Sequence, residues 1–184
     1  MWDSMQGMDS VTVGDVRPAD LRSLMAAFPT GVAVVTTKAG GCRPWGMTCT
    51  SLCSVSLRPA VLLVCLRSGS PTLEATLESG GFTVNLLKDD ARHIAELFAS
   101  GAPDRFSRVE WCEPTGCAGP HLHTSSHSVA DCVVTRSESV GDHEVVFGEV
   151  VTITHRAAPV PLLYGLRRYA SWQAPEHRTS DIGW

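Results

Sequence analysis

Short strand-like stretches bounded by Gly and Pro dominate this sequence, and their number most limits the folds that the chain can adopt. The strand patterns lie at residues 32–37, 43–57, 61–66, 82–87, 129–155 and 161–172. The helical patterns are fewer and shorter, at residues 18–28, 71–79 and 89–100. Because these helices do not alternate regularly with the strands, the pattern argues against a parallel βαβ fold. We predict a mainly β barrel or sandwich with peripheral helices.

Length and composition indicate a single globular domain. A chain of 184 residues with 43% apolar and 18% charged residues can bury a proper core. The sequence contains no internal repeat and no linker that would divide it. We expect an N-terminal extension over residues 1–17, a domain over residues 18–172 and a polar, disordered tail over residues 173–184.

Charge and cysteine usage argue against several functional classes. The net charge of −4 comes from 15 basic and 19 acidic residues mixed along the chain, so nucleic acid and anionic membranes are not expected partners. The longest apolar run, residues 59–66, is far shorter than the roughly 20 residues that span a bilayer. Seven cysteines without a CxxC motif, and no secretory signal at the start, favour reduced thiols in the cytoplasm.

The segment at residues 43–57, RPWGMTCTSLCSVSL, is unusual for a strand. It follows a turn at residues 38–41 and is predicted to be the return strand of a hairpin with residues 32–37. It is uncharged after Arg43 and carries Thr, Ser or Cys at nearly every other position. A core strand would be more apolar and a surface loop more charged, so the segment needs another explanation.

The start of the second helical pattern is a candidate anion site. Ser70 is a good N-cap and Pro71 suits the first helical position, which leaves the amides of Thr72 and Leu73 near an exposed helix start. Such a helix end attracts phosphate, and the hydroxyls of Ser68, Ser70 and Thr72 add donors. An ordinary capped helix is the alternative interpretation.

Two further polar residues call for an explanation. Asn85 lies in the middle of a predicted strand, where Asn is disfavoured, and faces away from its apolar neighbours. It needs a polar neighbour or a ligand, unless it is simply exposed. His143 follows a Gly-Asp turn signal, and it is either a solvated turn residue or a site residue whose charge changes near neutral pH.

Other chemical motifs are weak. The string CAGPHLHTSSH offers four candidate metal ligands, Cys117, His121, His123 and His127. Their number suffices for zinc, but their spacing matches no established zinc motif. The sequence has no GxSxG, HExxH or Walker A motif, and no GxGxxG follows a strand. Cys49 and Cys53 lack a helix start or a sequence-local His to activate them, so we interpret both as small buried hydrophobes.

Six segments in order resemble the flavin reductase family, the short-chain NAD(P)H:flavin oxidoreductases that serve two-component monooxygenases. The segments are FPTGVAVVTT at residues 28–37, RPWGMTCTSLCSVSLRPA at 43–60, LRSGSPT at 66–72, FTVNLL at 82–87, DRF at 104–106 and GDHEVVFGEV at 141–150. The resemblance covers residues 21–169. Residues 119–134 depart from the family, since three histidines stand where relatives usually have an apolar run.

The resemblance implies an FMN-binding split β-barrel with Greek-key-like topology, usually a homodimer with flavin sites near the interface. In that family the GMTxxS segment, residues 46–51 in this chain, lies along the isoalloxazine ring and ribityl chain of the flavin, which would explain the short polar side chains and the lack of charge in residues 44–57. The implied flavin-binding residues are Trp45, Gly46, Met47, Thr48, Cys49, Thr50, Ser51, Leu66, Ser68, Ser70, Thr72, Asn85 and Arg105. The implied NADH-binding residues are His143, which would position the nicotinamide, and Tyr169.

The function implied by the resemblance is NADH-dependent reduction of flavin, with the reduced FAD or FMN passing to a separate flavin-dependent monooxygenase. The flavin carries the hydride chemistry, so no side-chain acid or base is expected to be essential. FAD is favoured over FMN. NADH is favoured over NADPH, because the sequence shows no obvious arginine cluster for a 2′-phosphate. The alternatives are a non-catalytic flavin or haem carrier on the same barrel and, less favoured, a Cys/His metal protein.

Overall fold

The computed structural model describes residues 16–40, 43–156 and 160–172. Its helices are α1 (Pro18–Ala26), α2 (Pro71–Ser79) and α3 (Arg92–Ala99), with a short 3-10 turn at Arg105–Arg108. Its strands are β1 (Thr30–Gly31), β2 (Ala33–Ala39), β3 (Arg43–Cys49), β4 (Leu52–Leu57), β5 (Ala60–Arg67), β6 (Gly81–Leu87), β7 (Ser126–Val140), β8 (His143–His155), β9 (Leu162–Gly165) and β10 (Arg168–Ser171). The predicted mainly β fold with peripheral helices is confirmed. None of the helices in these ranges has the length and apolar character needed to cross a membrane.

Seven strands form one antiparallel sheet whose two edges are joined directly by the chain. The order is β3-β2-β6-β7-β8-β5-β4, so β3 and β4 lie at opposite edges, yet only Thr50 and Ser51 connect them. Three peptide units span at most about 11 Å, whereas the edges of a flat seven-stranded sheet would lie roughly 29 Å apart. The sheet must therefore curl until its edges approach each other without pairing, which is the architecture of a split barrel.

The single return strand predicted for residues 43–57 is wrong, because the segment is divided between two partners. β3 pairs with β2 along its whole length, and β4 pairs with β5. Ser51 holds the link between β3 and β4 against β5. Its Oγ donates to the carbonyl of Cys65 at 3.1 Å and accepts a hydrogen bond from the amide of Cys65 at 3.2 Å. Small polar residues continue across the break, so the local pattern does not mark it.

The core has two parts, which lie on the two faces of β2. Val35 belongs to the inner cluster with Phe82, while Val34 belongs to an outer cluster with Ile94 and Phe98 of α3. Val34 and Val35 are both fully buried. This explains why the strand is apolar on consecutive residues, as a strand covered on both faces must be.

α1 forms as the helical spacing predicts, but it does not bury its apolar side against this chain. None of its residues is buried. The large apolar side chains on and just after the helix are between 50% and 69% exposed: Leu21, Leu24, Met25 and Phe28. A continuous apolar surface of this kind is typical of a face that another molecule covers.

Residues 161–172, predicted to form one strand, form the hairpin β9–β10 instead. Leu166 and Arg167 make its two-residue turn, with φ angles of 50° and 59°. Such turns are usually built from Gly, Asn or Asp, which adopt positive φ more readily. Because neither turn position holds one of those residues, the sequence carries no hairpin signal here.

Asn85 is a buried junction of the fold. Its Nδ2 donates to Thr36 Oγ1 at 3.0 Å and lies 3.2–3.3 Å from the carbonyls of Val34 and Pro120. Its Oδ1 accepts the amide of Leu122 at 2.8 Å. The predicted need for polar neighbours is confirmed, and those neighbours tie the segment before β7 to β2 and β6.

Replacing Asn85 by Ala should lower the free energy of unfolding by about 2–4 kcal/mol, because several buried polar groups lose their partner. Urea unfolding followed by circular dichroism measures this. Ser137→Ala, on an exposed part of β7, is the control and should change stability by less than about 0.5 kcal/mol. An effect of Asn85→Ala as small as that of the control would contradict its role as a junction.

Candidate functional site

A cleft between β3, the start of α2 and the end of α3, here named cleft A, collects about half of the predicted site residues. Its volume is about 360 Å³. The predicted residues that line it are Trp45, Gly46, Met47, Thr48, Ser70, Thr72 and Arg105. They come from three separate parts of the sequence, which the curl of the sheet brings together.

The start of α2 presents a backbone amide to cleft A. Ser70 Oγ accepts the N–H of Leu73 at 3.3 Å, which confirms the predicted N-cap. Pro71 has no N–H, and the N–H of Thr72 has no acceptor within the helix. The amide of Thr72 and the positive end of the helix dipole therefore remain for an anion in the cleft.

Arg105 is a buried cation without a carboxylate partner. The residue is only 7% exposed, its Nη1 donates to the carbonyl of Ala102 at 2.8 Å, and its Nε has no hydrogen-bond partner among the described residues. Burial, and to a lesser extent the charge of Arg43, lowers the pKa of Arg105. A buried guanidinium is costly unless an anion neutralises it, so this side chain points to an anionic ligand.

Aromatic packing holds Arg105 in place. The neighbouring Phe106 contacts Phe98 of α3 edge to face, with 5.1 Å between ring centroids and 89° between ring planes. Trp111 packs against Phe106 at 5.9 Å, and its Nε1 donates to the carbonyl of Phe106 at 3.0 Å. The 3-10 turn is thus fixed to α3, and Arg105 reaches cleft A from a rigid support.

Trp45 contacts two cations. The guanidinium carbon of Arg43 is 4.4 Å from the centroid of its ring, and that of Arg105 is 5.8 Å away. Arg67 also lines cleft A, and none of the three arginines forms a salt bridge with a described residue. A flat aromatic surface beside uncompensated positive charge suits a planar ligand that carries phosphate.

The wall that β3 contributes to cleft A packs closely on α3. Thr48 Oγ1 donates to the carbonyl of Ala95 at 2.6 Å, so this hydroxyl group is used by the fold. A Cβ on Gly46 would lie 3.0 Å from the carbonyl oxygen of Val35 and 3.1 Å from a ring carbon of Phe98. Glycine at position 46 therefore permits the close approach of strand and helix.

His143 lies beside cleft A. It pairs with Arg67 across β5 and β8, and the amide of Ser68 donates to the carbonyl of Asp142 at 3.0 Å. His143 Nδ1 and Asp142 Oδ1 are 2.8 Å apart, and this hydrogen bond lowers the pKa of Asp142. Because Nδ1 is engaged, Nε2 of the half-exposed imidazole remains for another partner.

Thr50 and Ser51 line a second cleft, here named cleft B, with a volume of about 500 Å³. It lies between these two residues, α1 and the β9–β10 turn. Residues 45–48 of β3 line cleft A, and the link that follows β3 lines cleft B.

Three residues that are predicted to bind flavin have side chains in the core. Leu66 is fully buried in the inner cluster, and the amide of Asn85 is used entirely by the fold. Cys49 is buried in the inner cluster, where desolvation raises the pKa of its thiol. Its interpretation as a small buried hydrophobe is confirmed, whereas Cys53 is exposed, so the same interpretation of Cys53 is wrong.

Ser68 and Tyr169 lie outside both clefts. Ser68 is exposed on the loop before α2. The ring of Tyr169 packs on that of Tyr164, with 5.1 Å between centroids, and lies 5.5 Å from the guanidinium carbon of Arg92. Tyr164 and Tyr169 are paired across the β9–β10 hairpin, and it is Tyr164 that lines cleft B.

The Cys and His residues at 117–127 do not converge. Among the described residues no group of three or more His, Cys, Asp or Glu is placed to hold a metal ion. His121 instead pairs with Asp131, with 3.0 Å between Nε2 and Oδ2, and both are buried. Burial alone would raise the pKa of Asp131, but hydrogen bonds from His121 and Thr83 lower it. His121 is thus the partner of a buried carboxylate.

Sequence reasoning missed several residues of cleft A. Those not predicted include Arg67, Phe98, Ala99 and Gly101. Arg67 could have been predicted from its position, because it lies at the end of an apolar strand and directly before the loop that leads to α2. The residues at the end of α3 offer no such signal, because only the tertiary packing of α3 on β3 brings them to the cleft.

Comparison with known proteins relates the chain to one family. Residues 25–173 match the flavin reductase like domain. The flavin reductase (NADPH) of Lentzea aerocolonigenes is 48% identical over 157 residues, which cover 85% of this chain and 91% of that protein. The flavin-dependent monooxygenase reductase subunit HsaB of Mycobacterium tuberculosis is 34% identical over 91% of each chain. The solved structure of the Streptomyces globisporus C-1027 NADH:FAD oxidoreductase SgcE6, in complex with NAD and FAD fragments, has a TM-score of 0.79 and 31% identity, covering 86% of this chain and 93% of that one.

Replacing Arg105 by Met should stabilise the ligand-free protein and weaken its binding of phosphate. Met keeps the apolar packing but removes a buried charge, so the free energy of unfolding should rise by about 1 kcal/mol. Pyrophosphate should raise the unfolding temperature of the wild type more than that of the variant. Arg108→Met is the matched control, since Arg108 lies exposed in the same turn, 3.8 Å from Asp104. A less stable Arg105→Met with an unchanged response to pyrophosphate would contradict the anion site.

Proposed function

The chain belongs to the flavin reductase-like family and is an NAD(P)H:flavin oxidoreductase, and we propose that cleft A is its flavin-binding site. The observation that carries this proposal is the convergence of the Thr72 amide, the buried guanidinium of Arg105 and the ring of Trp45 on one cleft. A flavin nucleotide is a flat ring joined by a ribityl chain to phosphate. The Thr72 amide and the Arg105 guanidinium match the phosphate end of such a molecule, and the Trp45 ring matches its flat ring.

The residues of cleft A bind and orient the flavin. Its phosphate lies at the start of α2 and pairs with Arg105, which removes the cost of that unpaired charge. Trp45 and Met47 offer packing surface, and residues 44–57 carry no charge that would bias the redox balance of a ring beside them. A bound flavin supplies the hydride-accepting N5, while the protein contributes position and electrostatic environment.

We favour FAD over FMN as the flavin. Three arginines without a described carboxylate partner, Arg43, Arg67 and Arg105, provide more positive charge around cleft A than a single phosphate requires. FAD contains a diphosphate and FMN a single phosphate, so FAD neutralises more of this positive charge.

His143 positions the nicotinamide of the reduced nucleotide. With Nδ1 bound to Asp142, the imidazole offers Nε2 at the edge of cleft A. Hydride transfer requires the nicotinamide within about 3–3.5 Å of its acceptor. A side chain that orients the nicotinamide therefore affects the rate without acting as an acid or a base.

The reduced flavin passes to a separate flavin-dependent monooxygenase. Support comes from the relative HsaB, which is named as the reductase subunit of such an enzyme. In this role flavin is a diffusible product, so the protein must release it after reduction. Binding through a limited number of polar contacts in a surface cleft is compatible with that release.

We also propose that the protein forms a homodimer. Apolar side chains remain exposed on the strands β7 and β8 of the single chain. On the strands these are Val133, Val151 and Ile153. A second copy of the chain would remove this apolar surface from water.

Mixing the protein with FAD or FMN and with NADH or NADPH, and following the loss of nucleotide absorbance, tests the proposed reaction. We expect many turnovers per protein molecule with free flavin, and a lower KM for FAD than for FMN. Tight flavin binding without oxidation of either nucleotide would overturn the reductase and favour the non-catalytic flavin or haem carrier.

Replacing His143 by Ala should lower kcat/KM for the nicotinamide nucleotide about tenfold, which corresponds to one lost hydrogen bond to a positioned substrate. The KM for FAD should not change. Steady-state kinetics with each substrate varied in turn measures both. His93→Ala, on an exposed position of α3, is the control and should behave as the wild type. Unchanged nucleotide kinetics in His143→Ala would exclude the positioning role.

A further inference from the structure

Cleft B carries two cations, and no acidic residue lines it among the described residues. Arg22 of α1 and Arg167 of the β9–β10 turn line it together with the aromatic side chains of Phe28 and Tyr164. Neither arginine forms a salt bridge with a described residue. Positive charge concentrated beside aromatic surface, in a chain whose net charge is −4, favours a ligand that carries both phosphate and a flat ring.

The turn that presents Arg167 is conformationally strained. Leu166 and Arg167 have φ angles of 50° and 59°, in the left-handed region that is unfavourable for their side chains. A tether holds the turn in this state, since the amide of Leu166 donates to the carbonyl of Ala26 at 2.6 Å. The turn is therefore docked on the end of α1, and Arg167 lines the same cleft as Arg22.

We infer that Arg22 and Arg167 bind phosphate of the reduced nicotinamide nucleotide, an inference that rests on the proposed function. Hydride transfer requires two nucleotides to be held at the same time. Cleft A has its own phosphate-binding groups in Thr72 and Arg105, so the second nucleotide needs a separate set of cations. Cleft B provides that set, and Thr50 and Ser51, which line it, follow two and three residues after Thr48, which lines cleft A.

This pair of arginines removes the reason for expecting NADH rather than NADPH. That expectation depended on the lack of an arginine cluster in the sequence, but Arg22 and Arg167 are far apart in the chain and come together only in the fold. The pair binds either the diphosphate that both nucleotides share or the 2′-phosphate that only NADPH carries. Both are phosphate recognition by guanidinium, and comparing the two nucleotides distinguishes them.

Steady-state oxidation of NADH and of NADPH at saturating FAD, with the variants Arg22→Ala and Arg167→Gly, tests this inference. Each variant should lower kcat/KM for the nucleotide about tenfold, because one charge-assisted contact to phosphate is lost. The KM for FAD should not change. A loss with both nucleotides assigns the arginines to the diphosphate, and a loss with NADPH alone assigns them to the 2′-phosphate.

Two neighbouring substitutions are matched controls. Leu166→Gly relieves the same left-handed strain but keeps the cation, and Arg168→Ala removes a cation from β10, outside cleft B. Both should show wild-type kinetics. A loss in Leu166→Gly equal to that in Arg167→Gly would overturn the inference, because the conformation of the turn and not the charge would then be responsible.

Calorimetric titration of NADP⁺ and NAD⁺ into the protein separates this inference from the proposed function. If the wild type oxidises neither nucleotide, the proposed reaction fails, whereas weaker nucleotide binding by Arg22→Ala and Arg167→Gly still supports the phosphate site. Either of two results would overturn the phosphate site, even if the protein is an active reductase. Both variants could bind the nucleotides as the wild type does, or they could lose binding of FAD while binding of the nucleotides is unchanged.

Discussion

The two-residue link between β3 and β4 is the constraint on which the rest of the structure depends. Thr50 and Ser51 join strands at opposite edges of a seven-stranded sheet, so the sheet cannot stay flat and has to curl around a shared interior. The curl brings residues 45–48 against α3 and beside the start of α2, which creates cleft A. The link itself forms a wall of cleft B. Residues 43–57 form the two edge strands, the link between them and part of the wall of both clefts. Short Thr, Ser and Cys side chains suit these combined roles, because they are neither strongly apolar nor charged.

Positive charge is distributed unevenly over this acidic chain. The net charge is −4, yet Arg43, Arg67 and Arg105 gather around cleft A, and Arg22 and Arg167 line cleft B. Four of these arginines are exposed, whereas Arg105 is buried, and its burial together with the charge of Arg43 lowers its pKa. Phosphate groups of bound nucleotides would offset both effects. The free protein therefore keeps unfavourable charge in place, and ligand binding recovers that free energy.

Local features of the sequence predict much of the fold, and the parts that they do not predict depend on distant contacts. The Ser70 cap and the strands β5, β6 and β8 are found close to where the pattern places them, because side-chain period and capping chemistry act within a few residues. The break at Thr50 follows from pairing with two different strands, which no local pattern records. The site shows the same division: the direction of the Leu66 side chain and the partners of Asn85 depend on the curled sheet. Arg167 stands in a hairpin turn that is also hydrogen-bonded to the end of α1, and the local sequence shows neither contact.

A crystal structure of the protein with bound FAD tests the central claim most directly, namely that curling of the sheet builds a phosphate site at the start of α2. We expect phosphate oxygens within about 2.7–3.2 Å of the amide of Thr72 and of the guanidinium of Arg105, with the flavin ring along residues 45–51. FAD phosphates bound in cleft B, or a flavin ring away from β3, would contradict the claim.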